Sequence, residues 1–283
     1  MSKTEQPGAN PAGANAGAEQ PAGSDVVLFE VDDRVAILTL NRPDRLNAWT
    51  QAMQRRYFDL LADCGEREDV RAIVVTGAGR GFCAGADMGD LQAVGEGNID
   101  GLVAEHDARP QAFPLTIPKP IIAAINGACA GLGLVQALMC DVRFAAAEAK
   151  LTTAFARRGL VAEHGISWIL PRLVGPARAL DLLLSGRVVL GAEAAELGLV
   201  NRAVGDGRTV DVAVQYAREL ATYSAPSSMA AMKRQVYADL ERGLEPTVAE
   251  ANRLMGESLQ APDFVEGVRS FVERREPDFA PLS

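Results

Sequence analysis

Residues 121–141 read IIAAINGACAGLGLVQALMCD: an apolar run of strand length, a glycine-rich bend, then an apolar stretch of helical character. The first N–H groups of a helix have no intrahelical acceptor and sit at the positive end of its dipole, so this bend leaves backbone donors uncommitted. An anion or a developing oxyanion would be stabilised there. Tight packing of helix on strand also explains one such turn. A second, AIVVTGAGRGFCAGADMGDL at 72–91, again follows a strand directly, and its glycine density lets backbone N–H groups face a cleft. Two such turns, each ending a buried strand, favour a site over packing alone.

Outward from these turns, VVLFE (26–30), VAILTL (35–40) and VRFAA (142–146) are further β-rich runs alternating with helical patterns, which argues for an α/β fold with largely buried strands. Thr50 suits the N-cap of a helix with Met53, Tyr57, Leu60 and Leu61 on one face. Helices are also expected over 134–139, 176–184 and 192–197. From about Ala225 the strand signals stop and three helical patterns follow. Pro226 suits the first turn of one carrying Met229, Met232, Val236 and Leu240. Thr247 with Glu250 reads as a capping box for the second, and Asp263 with Glu266 for a third carrying Phe264, Val268, Phe271 and Val272. The expected organisation is a tail at 1–24, a core at 25–224 and a helical region at 225–283. The apolar faces of that last region would pack on the chain's own core or on a neighbouring subunit.

A chain of 283 residues, 48% hydrophobic, can bury one substantial core. Residues 1–24 hold almost no large apolar side chains and are expected to stay disordered. No apolar h-region, arginine-rich leader or membrane-length run is visible, so a cytoplasmic protein without a membrane partner is expected. Cys64, Cys83, Cys129 and Cys140 form no C-x-x-C pair and only His106 and His164 could assist them, so no metal site is expected. A net charge of −9 disfavours nucleic acid. Phe82 breaks the dinucleotide pattern G-x-G-x-x-G, and neither a phosphate-loop lysine nor G-x-S-x-G occurs.

Four segments, NRPDRLNAWT (41–50), GFCAGADM (81–88), KPIIAAINGACAGLGL (119–134) and GLVAEHGISWILPRLVG (159–175), together resemble the enoyl-CoA hydratase/isomerase, or crotonase, family. The resemblance implies a crotonase-like spiral of β-β-α repeats with a C-terminal three-helix trimerisation region. It further implies a homotrimer or a hexamer built as a dimer of trimers, an acyl-CoA thioester substrate, and no cofactor beyond the coenzyme A of the substrate. Matching motif to motif puts the two backbone N–H groups that hold the thioester oxygen at Ala86 and Leu132. The family usually has glycine at the latter place, and leucine tolerates positive φ poorly. For coenzyme A, the resemblance assigns Arg45 and Arg274 to phosphate, with Ala84 and Met88 near adenine and pantetheine. Asp44 stands where relatives are often basic, and both arginines also read as solvated surface charges.

Hydratases of this family use two glutamates to orient and deprotonate water, and here those places hold Val135 and Phe155. Loss of a general acid or base costs about 10² to 10⁴ in rate. Glu163, in a GL-x-x-E-x-G setting, resembles the base of Δ3,Δ2-enoyl-CoA isomerases. An acyl pocket of Val135, Phe155 and Trp168 is expected, and burial of Glu163 among Phe155, Trp168 and the acyl chain should raise its pKa. Glu163 also reads as a carboxylate meeting the dipole of the next helix, and His164 as structural. A mobile flap is expected within 91–113. Three functions are compatible with these residues: an isomerase with Glu163 as base, a hydratase or hydrolase directing water through Glu163, and a non-catalytic acyl-CoA binder.

Overall fold

The computed structural model describes residues 26–96 and 108–282. The expected tail at 1–24, the central part of the expected flap and His106 lie outside the described residues. The strands β1 (Val27–Asp32) and β2 (Val35–Leu40) form an antiparallel hairpin. After the helix α1 (Gln51–Glu66) the chain repeats one unit. The first is β3 (Ala72–Gly77), β4 (Gly81–Cys83) and α2 (Met88–Gly95); the second is β5 (Ile121–Ile125), β6 (Ala128–Ala130) and α3 (Leu132–Leu138). The third is β7 (Val142–Ala146), β8 (Lys150–Thr152) and α4 (Ile166–Val174). In every unit the first strand joins one sheet and the second strand joins another. With β9 (Val189–Leu190) and β10 (Arg202–Val204), the sheets run β1-β2-β3-β5-β7-β10 and β4-β6-β8-β9. This is the spiral of β-β-α repeats that the four motifs imply.

Alternate residues of β3 and β5 face opposite sides of the larger sheet, and both sides are buried. Ile73, Val75, Ile121, Ala123 and Ile125 enter the main core with Met53, Tyr57 and Leu61 of α1. Ala72, Val74, Ile122 and Ala124 face α7 (Thr209–Tyr223) through its Ala213, Val214, Ala217 and Ala221. Burial on both faces is why these strands read as unbroken apolar runs. The helix α7 was not expected from the sequence, because alanines on its buried face give little contrast between inside and outside. Thr50 does cap α1, its hydroxyl accepting from Met53 N–H at 3.3 Å. The helices α5 (Pro176–Ser185) and α6 (Gly191–Leu197) follow α4.

The chain ends in α8 (Pro226–Asp239), α9 (Leu244–Ser258) and α10 (Pro262–Glu273). Neither expected capping box forms. Thr247 lies inside α9, its N–H bonded to Gly243 O at 3.2 Å, because the chain turns helical before Pro246, a residue suited to a first turn. The Asp263 carboxylate accepts from Ser227 Oγ, and Glu266 binds Arg275 and the Asp278 N–H. Lys233 of α8 reaches Asp141 at 2.8 Å and the Lys119 carbonyl at 3.1 Å, and Tyr237 reaches Asp141 at 3.0 Å. These contacts tie α8 to the start of β5. Among the described residues no helix is long and apolar enough to cross a membrane.

Candidate active site

The pairing of β4 with β6, Gly81 opposite Ala128 and Cys83 opposite Cys129, makes the two glycine-rich turns leave their strands side by side. They touch backbone to backbone: a Cβ added to Gly85 would lie 3.0 Å from the Ala130 carbonyl oxygen and 3.8 Å from Gly131 Cα. The NRPDRLNAW segment zips onto the first turn. Ala84 N–H donates to Leu46 O at 3.0 Å, Trp49 N–H to Gly85 O at 2.7 Å, and Asp87 N–H to Trp49 O at 3.0 Å. Because Trp49 bonds to the residues on either side of Ala86, the N–H of Ala86 itself points away from that segment.

In the second turn Gly131 takes the positive φ, +50°, as the N-cap of α3, and Leu132 is the first residue of that helix with ordinary negative φ. Leucine at this place is therefore unstrained, and the expected difficulty with its geometry does not arise. The first backbone bond returning into α3 is Val135 N–H to Gly131 O, at 3.0 Å. Among the described residues, neither the Leu132 nor the Ala86 N–H has an acceptor. A Cβ on Gly133 would come within 2.3 Å of Cys83 O, so only glycine lets α3 sit this close to β4. Ala86 and Leu132 line one cavity of about 140 Å³, with Trp49, Thr50, Gln51, Gln54, Asp90, Leu91, Gln111 and His164.

The Glu163 side chain is outside this lining; its neighbour His164 is in it. The Glu163 side chain keeps 36% of its surface exposed, and its carboxylate stands 3.5 Å from His164 Nε2. Phe155 and Trp168 alone do not enclose it. The Trp168 ring stacks under the Arg172 guanidinium at 4.2 Å and donates its N–H to Glu241 at 3.2 Å. Val135 and Phe155 lie in the main core, away from the cavity wall. His164 has φ of +58°, and Gly165 follows at +82° as the N-cap of α4. A bend of this kind in a non-glycine residue is uncommon and clusters at functional sites.

Arg45 lies in the NRP segment and Ala84 and Met88 in or just after the first turn, Arg45 and Met88 exposed, and none of the three lines the cavity. Arg274 is exposed at the C-terminal end of α10. Among the described residues no hydrogen bond or ion pair joins it to the turns. Arg42, which the motif reading passed over, holds Asp87 at 2.9 Å. Burial works to raise the Asp87 pKa, but the Arg42 hydrogen bond and the Gly89 N–H outweigh it and hold the carboxyl below its ordinary value.

Sequence reasoning also missed Gln51, Gln54, Gln111 and Asp90. Gln54 did leave a signal, being a polar residue between Met53 and Tyr57 on an otherwise apolar helix face, only 2% exposed. The cysteines pack as small buried groups. Burial pushes Cys64, Cys83 and Cys140 up to about 12 and raises Cys129 as well. Among the described residues no group of three or more His, Cys, Asp or Glu is placed to hold a metal ion.

Comparison with known proteins gives this geometry a context. Residues 30–281 match the family model for enoyl-CoA hydratase/isomerase. A probable enoyl-CoA hydratase of Rhodobacter capsulatus is 39% identical over 260 residues, covering 89% of this chain and 97% of the relative. The 1,2-epoxyphenylacetyl-CoA isomerase of Escherichia coli is 36% identical over 267 residues, covering 90% and 98%. The crystal structure of a putative enoyl-CoA hydratase from Streptomyces coelicolor superposes with a TM-score of 0.83 at 32% identity, covering 94% of this chain and 98% of that one.

Proposed function

Since the chain belongs to the enoyl-CoA hydratase/isomerase family, we propose that it shifts the double bond of an enoyl-CoA thioester through an enolate held by the Ala86 and Leu132 N–H groups. The observation that carries this reading is the convergence of two uncommitted backbone donors on one cavity. Such donors favour a charge that exists only in the transition state and intermediate, and each is worth about 2.7–4 kcal/mol. Glu163 is the proposed base. It takes the C2 proton of a 3-enoyl thioester, and the C–H electron pair moves into C1–C2 as the C1 oxygen becomes the oxyanion. When that oxyanion collapses, the C1–C2 pair moves to C2–C3, the C3–C4 pair takes the proton back from Glu163 at C4, and the double bond stands at C2–C3 with the carboxylate regenerated. His164, 3.5 Å from the Glu163 carboxylate and on the cavity wall, supports this reading by bringing the pair to the edge of the site.

Two things support isomerisation over hydration. Val135 and Phe155, where hydratase glutamates would stand, carry no group able to move a proton. One relative is itself named an isomerase. The alternative, hydration or thioester hydrolysis by water directed through Glu163, is favoured by the several relatives named probable enoyl-CoA hydratase. Arg45, Ala84, Met88 and Arg274 are the proposed contacts to coenzyme A. The exposed apolar face of the C-terminal helices, with Phe271 at 85% and Val272 at 74% exposure, supports assembly as a homotrimer or hexamer, which sedimentation would measure.

Glu163→Gln is the test of the reaction. It should lower kcat/KM for a 3-enoyl-CoA by about 10² to 10⁴ while acyl-CoA still binds, and His164→Ala should follow in the same direction. Undiminished turnover in Glu163→Gln removes the base from this account. Product formed in ¹⁸O-labelled water should contain no label; incorporated label would establish hydration or hydrolysis instead.

A further inference from the structure

The two proposed oxyanion donors come from different elements, and the β4–β6 pairing stops short of both. Ala86 and Leu132 each lie three residues past its last pair, Cys83 with Cys129. A second link joins them through the cavity wall. It starts at Trp49, which brackets Ala86 through its bonds to the Gly85 carbonyl and the Asp87 N–H. The Trp49 indole N–H can only donate, and it donates to Gln54 Oε1 at 3.3 Å. That oxygen also accepts from Gln111 Nε2. Gln111 then presents its own oxygen to Gln136, whose Nε2 donates at 2.6 Å. Gln136 lies one helical turn after Leu132 in α3. One donor-only ring therefore sets the direction of three amides. The chain they form runs from the residue that holds one oxyanion donor to the helix that begins with the other.

Folding alone does not explain these amides. Gln136 carries the only polar side chain of α3, is 2% exposed, and has a buried Oε1 with no donor among the described residues. Gln54 is likewise 2% exposed, on the apolar face of α1. A buried acceptor left unpaired costs stability, and replacing both partners of a buried bond by apolar groups of like shape is close to neutral. Apolar side chains would serve packing as well. What the amides add is direction, because a chain of hydrogen bonds fixes distances that apolar contacts leave free to slide.

We propose that Gln54, Gln111 and Gln136 are positioning residues that set the spacing between the Ala86 and Leu132 N–H groups. The inference rests on the enolate reading above and deepens it by naming what holds the two donors in register. Such donors must stand about 2.7–3.1 Å from the oxyanion, and a displacement of roughly 1 Å costs about 10²-fold in rate. Gln54 and Gln111 line the cavity, whereas Gln136 does not. An effect of Gln136 on the reaction therefore travels through Gln111 and α3 rather than through contact with the thioester.

The test measures the infrared carbonyl stretch of hexanoyl-CoA labelled with ¹³C at C1, free and bound to the wild-type enzyme and to Gln136→Met, together with kcat and KM for 3-hexenoyl-CoA. Two well-placed N–H donors should pull the stretch below its value in water when the thioester binds the wild type. Gln136→Met keeps the volume and removes the amide. It should lose most of that shift and lower kcat by about 10- to 10²-fold, with KM changed far less and the melting temperature held. Gln111→Met, at a half-buried position, breaks two links of the chain and should do the same should Gln136→Met fail to fold. A full shift retained in the variants, or a fall in kcat that follows a fall in stability with the shift intact, overturns the proposal and leaves the oxyanion hole standing. No shift in the wild-type enzyme overturns the Ala86 and Leu132 assignment and the proposal with it. A wild-type shift that Gln136→Met abolishes, without turnover of 3-hexenoyl-CoA by either protein, supports the proposal and sinks the reaction assigned above.

Discussion

Arg42 Nη1 lies 2.9 Å from Asp87 Oδ2 and 2.6 Å from the Ala48 carbonyl, so one guanidinium ties the segment before α1 to the turn that carries the Ala86 N–H. The pair is largely shielded, with 11% and 20% of the two side chains exposed. Its position makes it a positioning device: it touches no proposed substrate atom but fixes the residue next to a proposed oxyanion donor.

Arg42→Ala should therefore cost about 1.5–3 kcal/mol of stability, the range for a hydrogen bond to a charged group. It should also lower kcat by about 10²-fold, the price of a displacement of roughly 1 Å at a reacting centre, with a smaller change in KM. Denaturant titration and steady-state kinetics read the two effects. Unchanged kcat would show that the first turn holds its shape without the arginine.

Acid should reveal the same contact. The Asp87 carboxyl is held below its ordinary value of 3.8 because Arg42 and the Gly89 N–H outweigh burial. A group whose folded pKa is depressed contributes stability that is complete above the unfolded value and is lost as pH falls through the folded one. The contribution should persist through neutral and mildly acidic pH and disappear below about pH 4. In Arg42→Ala burial is opposed by less, the folded value moves up towards the unfolded one, and the acid-dependent loss should shrink or vanish, so the difference between the two stability profiles isolates the pair from other carboxylates. Superimposable profiles would mean that Arg42 does not govern Asp87.

Gly133→Ala should displace α3, because the new Cβ would come within 2.3 Å of the Cys83 carbonyl oxygen. Moving the Leu132 N–H by this route should lower kcat by about 10² to 10³, the loss seen when one oxyanion donor is removed. The melting temperature should fall as well. A variant of wild-type turnover would place the oxyanion elsewhere.

The four thiols should be inert in the folded protein. All are buried, three are pushed up to about 12, and the thiolate is the reactive form. Iodoacetamide at pH 8 should label none of them until denaturant is added, after which mass spectrometry should find all four modified. Fast labelling of any one under native conditions would contradict its burial.

The local signals announced an α/β core and its two turns, and the four motifs taken together, through the family they resemble, announced the spiral. Strands buried on both faces read as continuous apolar runs, and glycines mark where backbone must approach backbone, as Gly133 does Cys83. Thr50 announced the start of α1 because a cap is made within a few residues of itself. The alanine-faced α7 was hidden because its burial depends on the sheet it meets. The capping boxes expected at Thr247 and Asp263 do not form, because α9 already begins at Leu244 and the Asp263 carboxylate accepts from Ser227 of α8.

The amino-acid sequence by itself determined the buried strands and the two glycine turns, which rest on residues close together along the chain, and, through four motifs in order between 41 and 175, the family and with it the spiral. Only the tertiary structure decided which side chains face the cavity. It brought His164 to the wall in place of Glu163. It also joined Gln54 to Gln111, 57 residues away, and Gln111 to Gln136, 25 residues away. The direction of an amide is set by its partners, and partners this distant become neighbours only when the sheets pair and α1 docks on them.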